Sequence, residues 1–351
     1  MKKADSKIRK PHNYSVGDKA IDRTIERLVR MSGETVNANL VRELFTSVAK
    51  IGKSKFTRGE LKVINTTLKE LRYAFRVFEP YSHIRKVAVF GSARTKENTS
   101  IYKSAIRFGK LMADQGWMVI TGGSSGIMAA GHEGAGMANS FGLNIRLPFE
   151  QEVNPVIKHD RKLIHFKYFF TRKLSFIKES DATVLYPGGF GTHDEGMESL
   201  TLSQTGKNNP RPIVVVDTPK GDYWKHWFDF VKKSLLKNKM IDPDDYELPV
   251  LAFSPEEAMK LVVDFYKVYH SMRYVDDLTV IRLNSDISDA LLRELNRKFS
   301  SILLKGKIER SEMLPAESDE AEIRALPRLK MFFNRRNYGT LHKLIRRLNQ
   351  V

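Results

Sequence analysis

Between residues 86 and 216 this chain repeats one pattern five times: a short apolar, often β-branched run, then a polar or mixed segment. The runs are 86–90, 117–120, 142–147, 182–186 and 212–216, and the stretches between them include 102–115 and 171–179, each long enough for a helix. Strands that are apolar on both faces need cover on both faces. The pattern therefore predicts an α/β fold with a Rossmann-like, doubly wound parallel sheet. In such sheets, ligands bind where loops leave the carboxyl ends of strands, close to the point where strand order reverses.

Three glycine-rich segments are expected at that edge. They are Phe90-Gly91-Ser92-Ala93-Arg94, Thr121-Gly122-Gly123-Ser124-Ser125-Gly126, and Pro187-Gly188-Gly189-Phe190-Gly191-Thr192. One alone could be a tight connection; three together predict a nucleotide or sugar-phosphate site. In the last, Gly188, Gly189 and Gly191 have no Cβ, so the backbone is expected to take positive φ and gather several N–H groups around one anion. Thr192 adds a hydroxyl where a helix begins and its first N–H groups lack partners. A bound phosphate would repel Glu195, so this carboxylate is expected to face another part of the ligand, such as a sugar. Glu198 shares its helix face at i, i+3. Asp194 either complements the helix dipole or helps with the sugar, and His193 is expected to be merely exposed. Met128, Met137 and Met197 read as core packing.

With 351 residues, 41% of them hydrophobic, the chain can form one large core with additions, or two domains. It contains no apolar run near the roughly 20 residues that span a bilayer, and MKKADSKIRKPHNYS lacks the apolar part of a secretory signal. With 0 Cys it can hold neither a disulfide nor a thiolate zinc site. The expectation is a cytoplasmic protein with no membrane partner. The net charge of +18 gathers partly at the ends. Lys2, Lys3, Lys7, Arg9 and Lys10 form a basic arm, and residues 323–351 hold eight Lys or Arg and no acid. A solvated basic surface is the expected meaning, with nucleic-acid binding through the basic tail as the competing one.

Three regions are expected. Residues 1–80 form a helical N-terminal extension, with Ile21, Ile25, Leu28, Val29 and later Leu61, Ile64, Leu68, Leu71 at helical spacing. Residues 81–270 form the Rossmann-like domain. Residues 271–351 form a small basic α+β appendage: a strand at 278–283, a helix at 287–304, an acidic loop at 315–320 and a closing helix at 341–348. Beyond this alternation of apolar runs, no stretch of sequence is repeated.

Pro187-Gly188-Gly189-Phe190-Gly191-Thr192-His193-Asp194-Glu195 follows the pattern PGGxGTxxE, and Gly122-Gly123-Ser124-Ser125-Gly126-Ile127-Met128 follows GGxxGIM. With Phe170-Thr171-Arg172-Lys173 ahead of the last motif, and Thr201 and Gln204 after it, residues 85–269 resemble the LONELY GUY (LOG) family, long misnamed lysine decarboxylases. The segments Gly142-Leu143-Asn144-Ile145 and Leu147-Pro148-Phe149-Glu150 look closer to its extended bacterial members. The resemblance implies a nucleoside 5′-monophosphate phosphoribohydrolase, an N-glycosidase that releases a free base and ribose 5-phosphate. AMP or a related purine nucleotide is the expected substrate, with cytokinin nucleotides a narrower option. It further implies Arg172 and Glu195 as catalytic residues. Gly123, Ser124, Lys173, Gly188, Gly189, Gly191, Thr192, Glu198 and Thr201 are the expected substrate contacts. A homo-oligomer, at least a dimer, is expected too. No residue pattern asks for a metal or a cofactor, and nothing marks a pyridoxal phosphate lysine. A nucleotide sensor or carrier without hydrolysis is the alternative, and a basic nucleic-acid-binding protein the third.

Overall fold

The computed structural model describes residues 14–147, 152–317 and 321–350, so the basic arm, Pro148-Phe149-Glu150, the end of the acidic loop and Val351 lie outside the described residues. The chain divides into two compact units, residues 1–68 and 69–351.

The first unit is helical. Helix α1 (Lys19–Ser32) starts where the Asp18 carboxylate accepts from the Ala20 and Ile21 amides, and stops at Gly33, whose φ of 75° is left-handed. It packs on α2 (Ala38–Lys53) through Ile25, Val29 and Thr46. The unit boundary falls inside α3 (Arg58–Phe78).

The second unit is built on a seven-stranded parallel sheet. Its strands are β1 (Lys86–Phe90), β2 (Met118–Thr121), β3 (Ser140–Ile145), β4 (Leu163–Phe166), β5 (Ala182–Leu185), β6 (Ile213–Val216) and β7 (Pro249–Ala252). The order is β4-β3-β2-β1-β5-β6-β7. From β1 the chain winds one way as far as β4, then returns to lay β5 on the other side of β1, so the strand order reverses between β1 and β5. Alternation with period two serves both faces. Val87 and Val89 join one core with α4 (Ser100–Asp114) and α5 (Ile127–Ala135), while Ala88 points to the opposite core with Met118 and Ile120. The last turns of α3 close that second core. Phe78 is buried and stacks on Phe141 at 4.3 Å, a burial that contributes roughly 1.5–3 kcal/mol. The remaining helices of the layer are α6 (Phe169–Glu179), α7 (Phe190–Gln204), α8 (Tyr223–Phe230), α9 (Pro243–Tyr246) and α10 (Pro255–Asp264).

The C-terminal part adds a four-stranded antiparallel sheet, order β10-β11-β9-β8. It comprises β8 (Tyr269–Val275), β9 (Leu278–Leu283), β10 (Leu303–Ser311) and β11 (Arg328–Phe333), with α11 (Asp289–Lys298) and α12 (Tyr338–Leu348). The helix expected over 287–304 is shorter: α11 stops before Phe299, and Leu303 and Leu304 open a strand. The basic tail is a solvated surface only in part: Arg324, Arg335 and Arg336 are exposed, whereas Arg328, Lys343, Arg346 and Arg347 turn inward. Arg328 is buried with Arg282 around Glu317, Arg347 pairs with Glu294 at 2.6 Å, and Lys343 meets Asp244 at 2.7 Å and Glu247 at 2.9 Å. Arg346 donates to the Glu247 and Leu248 carbonyls. Asn349 fastens this part to the larger sheet's last helix: its Oδ1 accepts from the Val268 and Tyr269 amides and its Nδ2 donates to Phe265.

Candidate active site at the β1–β5 switch

All three glycine-rich loops leave the carboxyl ends of neighbouring strands, β2, β1 and β5, and they are tied together by main-chain bonds. The Ser92 amide donates to Pro187 O at 3.1 Å, and the Ile127 amide donates to Ser92 O at 3.1 Å. Gly126 (φ 64°) must be glycine, because a Cβ there would lie 2.2 Å from Ser92 O. A cleft of about 670 Å³ opens over the joined loops, lined by Gly91 to Arg94, Gly122, Met128, Arg172, Gly189, Gly191, Thr192 and Glu195 among others.

The glycines of the third loop act differently from expectation. None of Gly188, Gly189 and Gly191 has positive φ. At Gly188 the constraint is steric, since a Cβ would sit 2.1 Å from Thr192 Oγ1. Cβ atoms at Gly189 and Gly191 would meet nothing within 4 Å, so these two residues leave the mouth of the cleft open. Gly189 is the N-cap of α7 and no side chain caps the helix. Its carbonyl already accepts from Thr192 and His193, but the first-turn amides before them have no intrahelical acceptor. An uncapped helix start beneath open space favours an anion.

Glu195 lies one turn further along α7, with only 4% of its surface exposed. Each of its oxygens meets a different cation of α6: Arg172 Nη2 is 3.4 Å from Oε1, and Lys173 Nζ is 3.5 Å from Oε2. Burial pushes the Glu195 carboxyl above its ordinary pKa, and the two cations offset part of that rise. Burial likewise lowers Arg172, which Glu195 partly offsets. Its guanidinium lies 5.0 Å from the Phe169 ring and its Nε has no partner. Lys173 also holds Asp194 at 2.9 Å and Glu198 at 3.1 Å. Desolvation opposes its charge, yet these carboxylates raise its pKa overall.

The other expected residues are dispersed. Lys173 and Glu198 stand behind Glu195 and do not line the cleft. Gly188 lies beneath the loop. Gly123 (φ 75°) packs towards Leu163 and Gly142, and the buried Ser124 donates to Glu152 O at 3.3 Å. Thr201 turns away, its hydroxyl donating to Met197 O, and lines a separate apolar cavity of about 180 Å³ with Trp227 and Tyr246. Of the three methionines read as core, Met137 is 54% and Met197 37% exposed, and Met128 lines the cleft. His193 is not merely exposed: its Nε2 lies 2.7 Å from Tyr223 Oη, which donates to Gly188 O. Tyr223, at the start of α8, thus supports the loop from below. Nothing in the local sequence announces it, because it lies 35 residues beyond the glycine it holds.

No group of three or more His, Asp or Glu side chains suited to a metal occurs among the described residues, and no described helix is long and apolar enough to cross a membrane.

Fold and site define a Rossmann-like α/β protein with an uncapped glycine cradle beside a buried carboxylate. A family model described as "Possible lysine decarboxylase" matches residues 122–262, the segment that carries the LOG-like motifs above. A probable cytokinin riboside 5′-monophosphate phosphoribohydrolase of Oryza sativa subsp. japonica is 25% identical over 182 residues, 51% of this chain and 70% of the relative. A cytokinin riboside 5′-monophosphate phosphoribohydrolase of Mycobacterium tuberculosis is 27% identical over 179 residues, 50% of this chain and 91% of the relative. Among solved structures, the molybdenum cofactor binding protein of the phototrophic bacterium Rippkaea orientalis is 22% identical and covers 51% of this chain and 94% of its own, with a TM-score of 0.36.

Proposed function

We propose that this protein hydrolyses the N-glycosidic bond of a purine nucleoside 5′-monophosphate, AMP or a close analogue, giving the free base and ribose 5-phosphate. The observation that carries this reading is the placement of Glu195: a buried carboxylate lining the same cleft as the uncapped start of its own helix. A phosphate at Gly189, Gly191 and Thr192 then leaves the sugar, and not the anion, opposite the carboxylate. Cleavage passes through an oxocarbenium-like sugar, by analogy with O-glycoside hydrolysis. Glu195 stabilises that charge or takes the proton of the attacking water. Arg172 orients the ligand and the carboxylate from within the cleft. Lys173 holds the other oxygen of Glu195, with Asp194 and Glu198 sharing its charge.

The relatives named for cytokinin ribosides support the reaction class. Decarboxylation of lysine is disfavoured by the lysines themselves. A Schiff-base lysine must lose its proton, which a lowered pKa favours, yet the carboxylates around Lys173 hold its proton more tightly. Lys86, whose pKa burial does lower, donates to Tyr81 O and Ile84 O at the far end of β1. The internal pairing of Arg328, Lys343 and Arg347 removes part of the basic tail from the charge that nucleic-acid binding would use. The deciding experiment is a panel of nucleoside monophosphates incubated with purified protein, followed by detection of free base and ribose 5-phosphate. Retention of intact nucleotide without base release would instead make the protein a carrier or sensor.

A further inference from the structure

Glu195 on α7 meets its two cations from α6 at long range, Arg172 at 3.4 Å and Lys173 at 3.5 Å. Both contacts stand at the outer edge of hydrogen-bond reach, so a small slide of α6 along its axis ends them. The placement of α6 therefore bears directly on the charge of Glu195.

Arg211 fastens the far end of that helix. It stands just before β6, is 3% exposed, and its hydrogen-bond partners are all neutral. Nη1 donates to Ile177 O at 3.0 Å, to Ser180 O at 2.8 Å and to Ser180 Oγ at 3.1 Å, and Nη2 donates to Thr183 Oγ1 at 3.2 Å. Burial lowers the Arg211 pKa to about 10, so it is still a cation at neutral pH. Ile177 and Ser180 lie where the carbonyls of α6 run out of intrahelical donors and the helix dipole favours positive charge. Thr183 Oγ1 in turn lies 3.4 Å from Ser199 Oγ, one turn beyond Glu195 on α7. Arg211 thus joins the end of one helix to the middle of the other. The start of α6 is held separately: the Glu70 carboxylate accepts from the Lys167 amide and the Thr171 hydroxyl, each at 2.6 Å. Loss of Arg211 leaves α6 docked at one end and free to shift at the other.

We propose that Arg211 is a positioning residue for the reaction: it fixes the axial setting of α6 against α7, and with it the distance of Arg172 and Lys173 from Glu195. The inference takes Glu195 as the catalytic carboxylate of the reaction proposed above. The charged groups around Glu195 are Arg172 and Lys173 from α6 and Asp194 and Glu198 from α7, with Arg94 on the cleft wall. The two cations favour its ionised form, whereas burial and the two acids oppose it. Withdrawing the cations therefore raises the pH at which Glu195 ionises.

The test uses full-length protein with isotope-labelled glutamate, titrated by carbon NMR without substrate; the Glu195 signal is the one missing from Glu195→Gln. Arg211→Met should move the Glu195 midpoint to higher pH and lower kcat for AMP at least about tenfold with KM little changed. Arg211→Lys, which keeps a cation for the Ile177 and Ser180 carbonyls, should restore part of both. Glu317→Gln is the control for lost stability alone, its melting temperature falling while the Glu195 midpoint stays in place. If Arg211→Met does not fold, Thr183→Val removes one acceptor and the link to Ser199, and must move the midpoint in the same direction. A midpoint unmoved in the folded variant, or moved equally by Glu317→Gln, overturns this inference alone. Absence of base release by the wild type overturns the proposed reaction, and the titration still judges the role of Arg211.

Discussion

The phenol of Tyr223 donates its proton to the carbonyl of Gly188 at 2.5 Å, fixing the loop that presents Thr192 and the start of α7. Removing the hydroxyl leaves that carbonyl and His193 without this partner. A lost bond of this kind costs about 1 kcal/mol. Tyr223→Phe should therefore stay folded by circular dichroism while steady-state kinetics with AMP show a several-fold rise in KM. An unchanged KM would mean that the loop holds its shape without the phenol.

Glu195→Gln keeps the shape of the side chain and removes its charge. Loss of a general acid or base costs about 10²–10⁴-fold in rate, so turnover should collapse while AMP still binds. The pH profile gives an independent check. Because burial raises the Glu195 pKa, kcat/KM of the wild type should fall with decreasing pH, at a midpoint above the ordinary range of a glutamate. A midpoint at or below that range would contradict the assignment.

The three loop glycines should separate into two classes. Gly188→Ala forces a Cβ against Thr192 Oγ1 and should lower both thermal stability and activity. Gly189→Ala and Gly191→Ala meet no atom within 4 Å, so their melting temperatures should stay close to wild type while phosphate-dependent binding weakens. Calorimetry of the three variants with ribose 5-phosphate distinguishes these outcomes.

That split also shows where sequence and structure part. Residues 86–90 are legible to the residue as β1, because a run apolar on both faces admits few other places in a fold. β4 and β7 are not, since four-residue strands carrying His165 or Pro249 have no pattern of their own. The strand β10 hides for a different reason: most of its residues are exposed, and its two opening leucines extend the period of α11. Glu195 is legible from its place after the glycine loop and Arg172 only through the family resemblance, whereas Tyr223 and Arg211 depend on partners that only folding brings near.

Acid should weaken the fold through its buried histidines. His132 falls to about 4 and His342 to about 3 when folded, against 6.5 ordinarily. Lowered folded values mean that their contribution is complete above pH 6.5 and is lost as pH falls towards 4, because the unfolded chain binds the protons first. Melting temperatures should therefore drop across that window. His342→Phe should flatten the slope; a slope identical to wild type would exclude His342 as a source.

The C-terminal sheet should depend on Glu317, which sits unexposed between Arg282 and Arg328 at 2.7 and 3.2 Å. Glu317→Gln leaves two buried guanidinium groups short of their counter-charge. Breaking such a cluster typically costs about 3–5 kcal/mol, which urea denaturation would register as a lower midpoint.

Two of the bonds that join the three loops run from amide to carbonyl, Ser92 to Pro187 and Ile127 to Ser92, and the one side chain beside them is the Ser125 hydroxyl, which donates to Ala93 O. A floor wired in this way is indifferent to most substitutions above it. Rim residues such as Phe169, Phe190 and Arg94 can drift, and with them the choice of ligand, while the seat for the anion keeps its shape. Chains only a quarter identical can then keep one loop framework and differ at its rim.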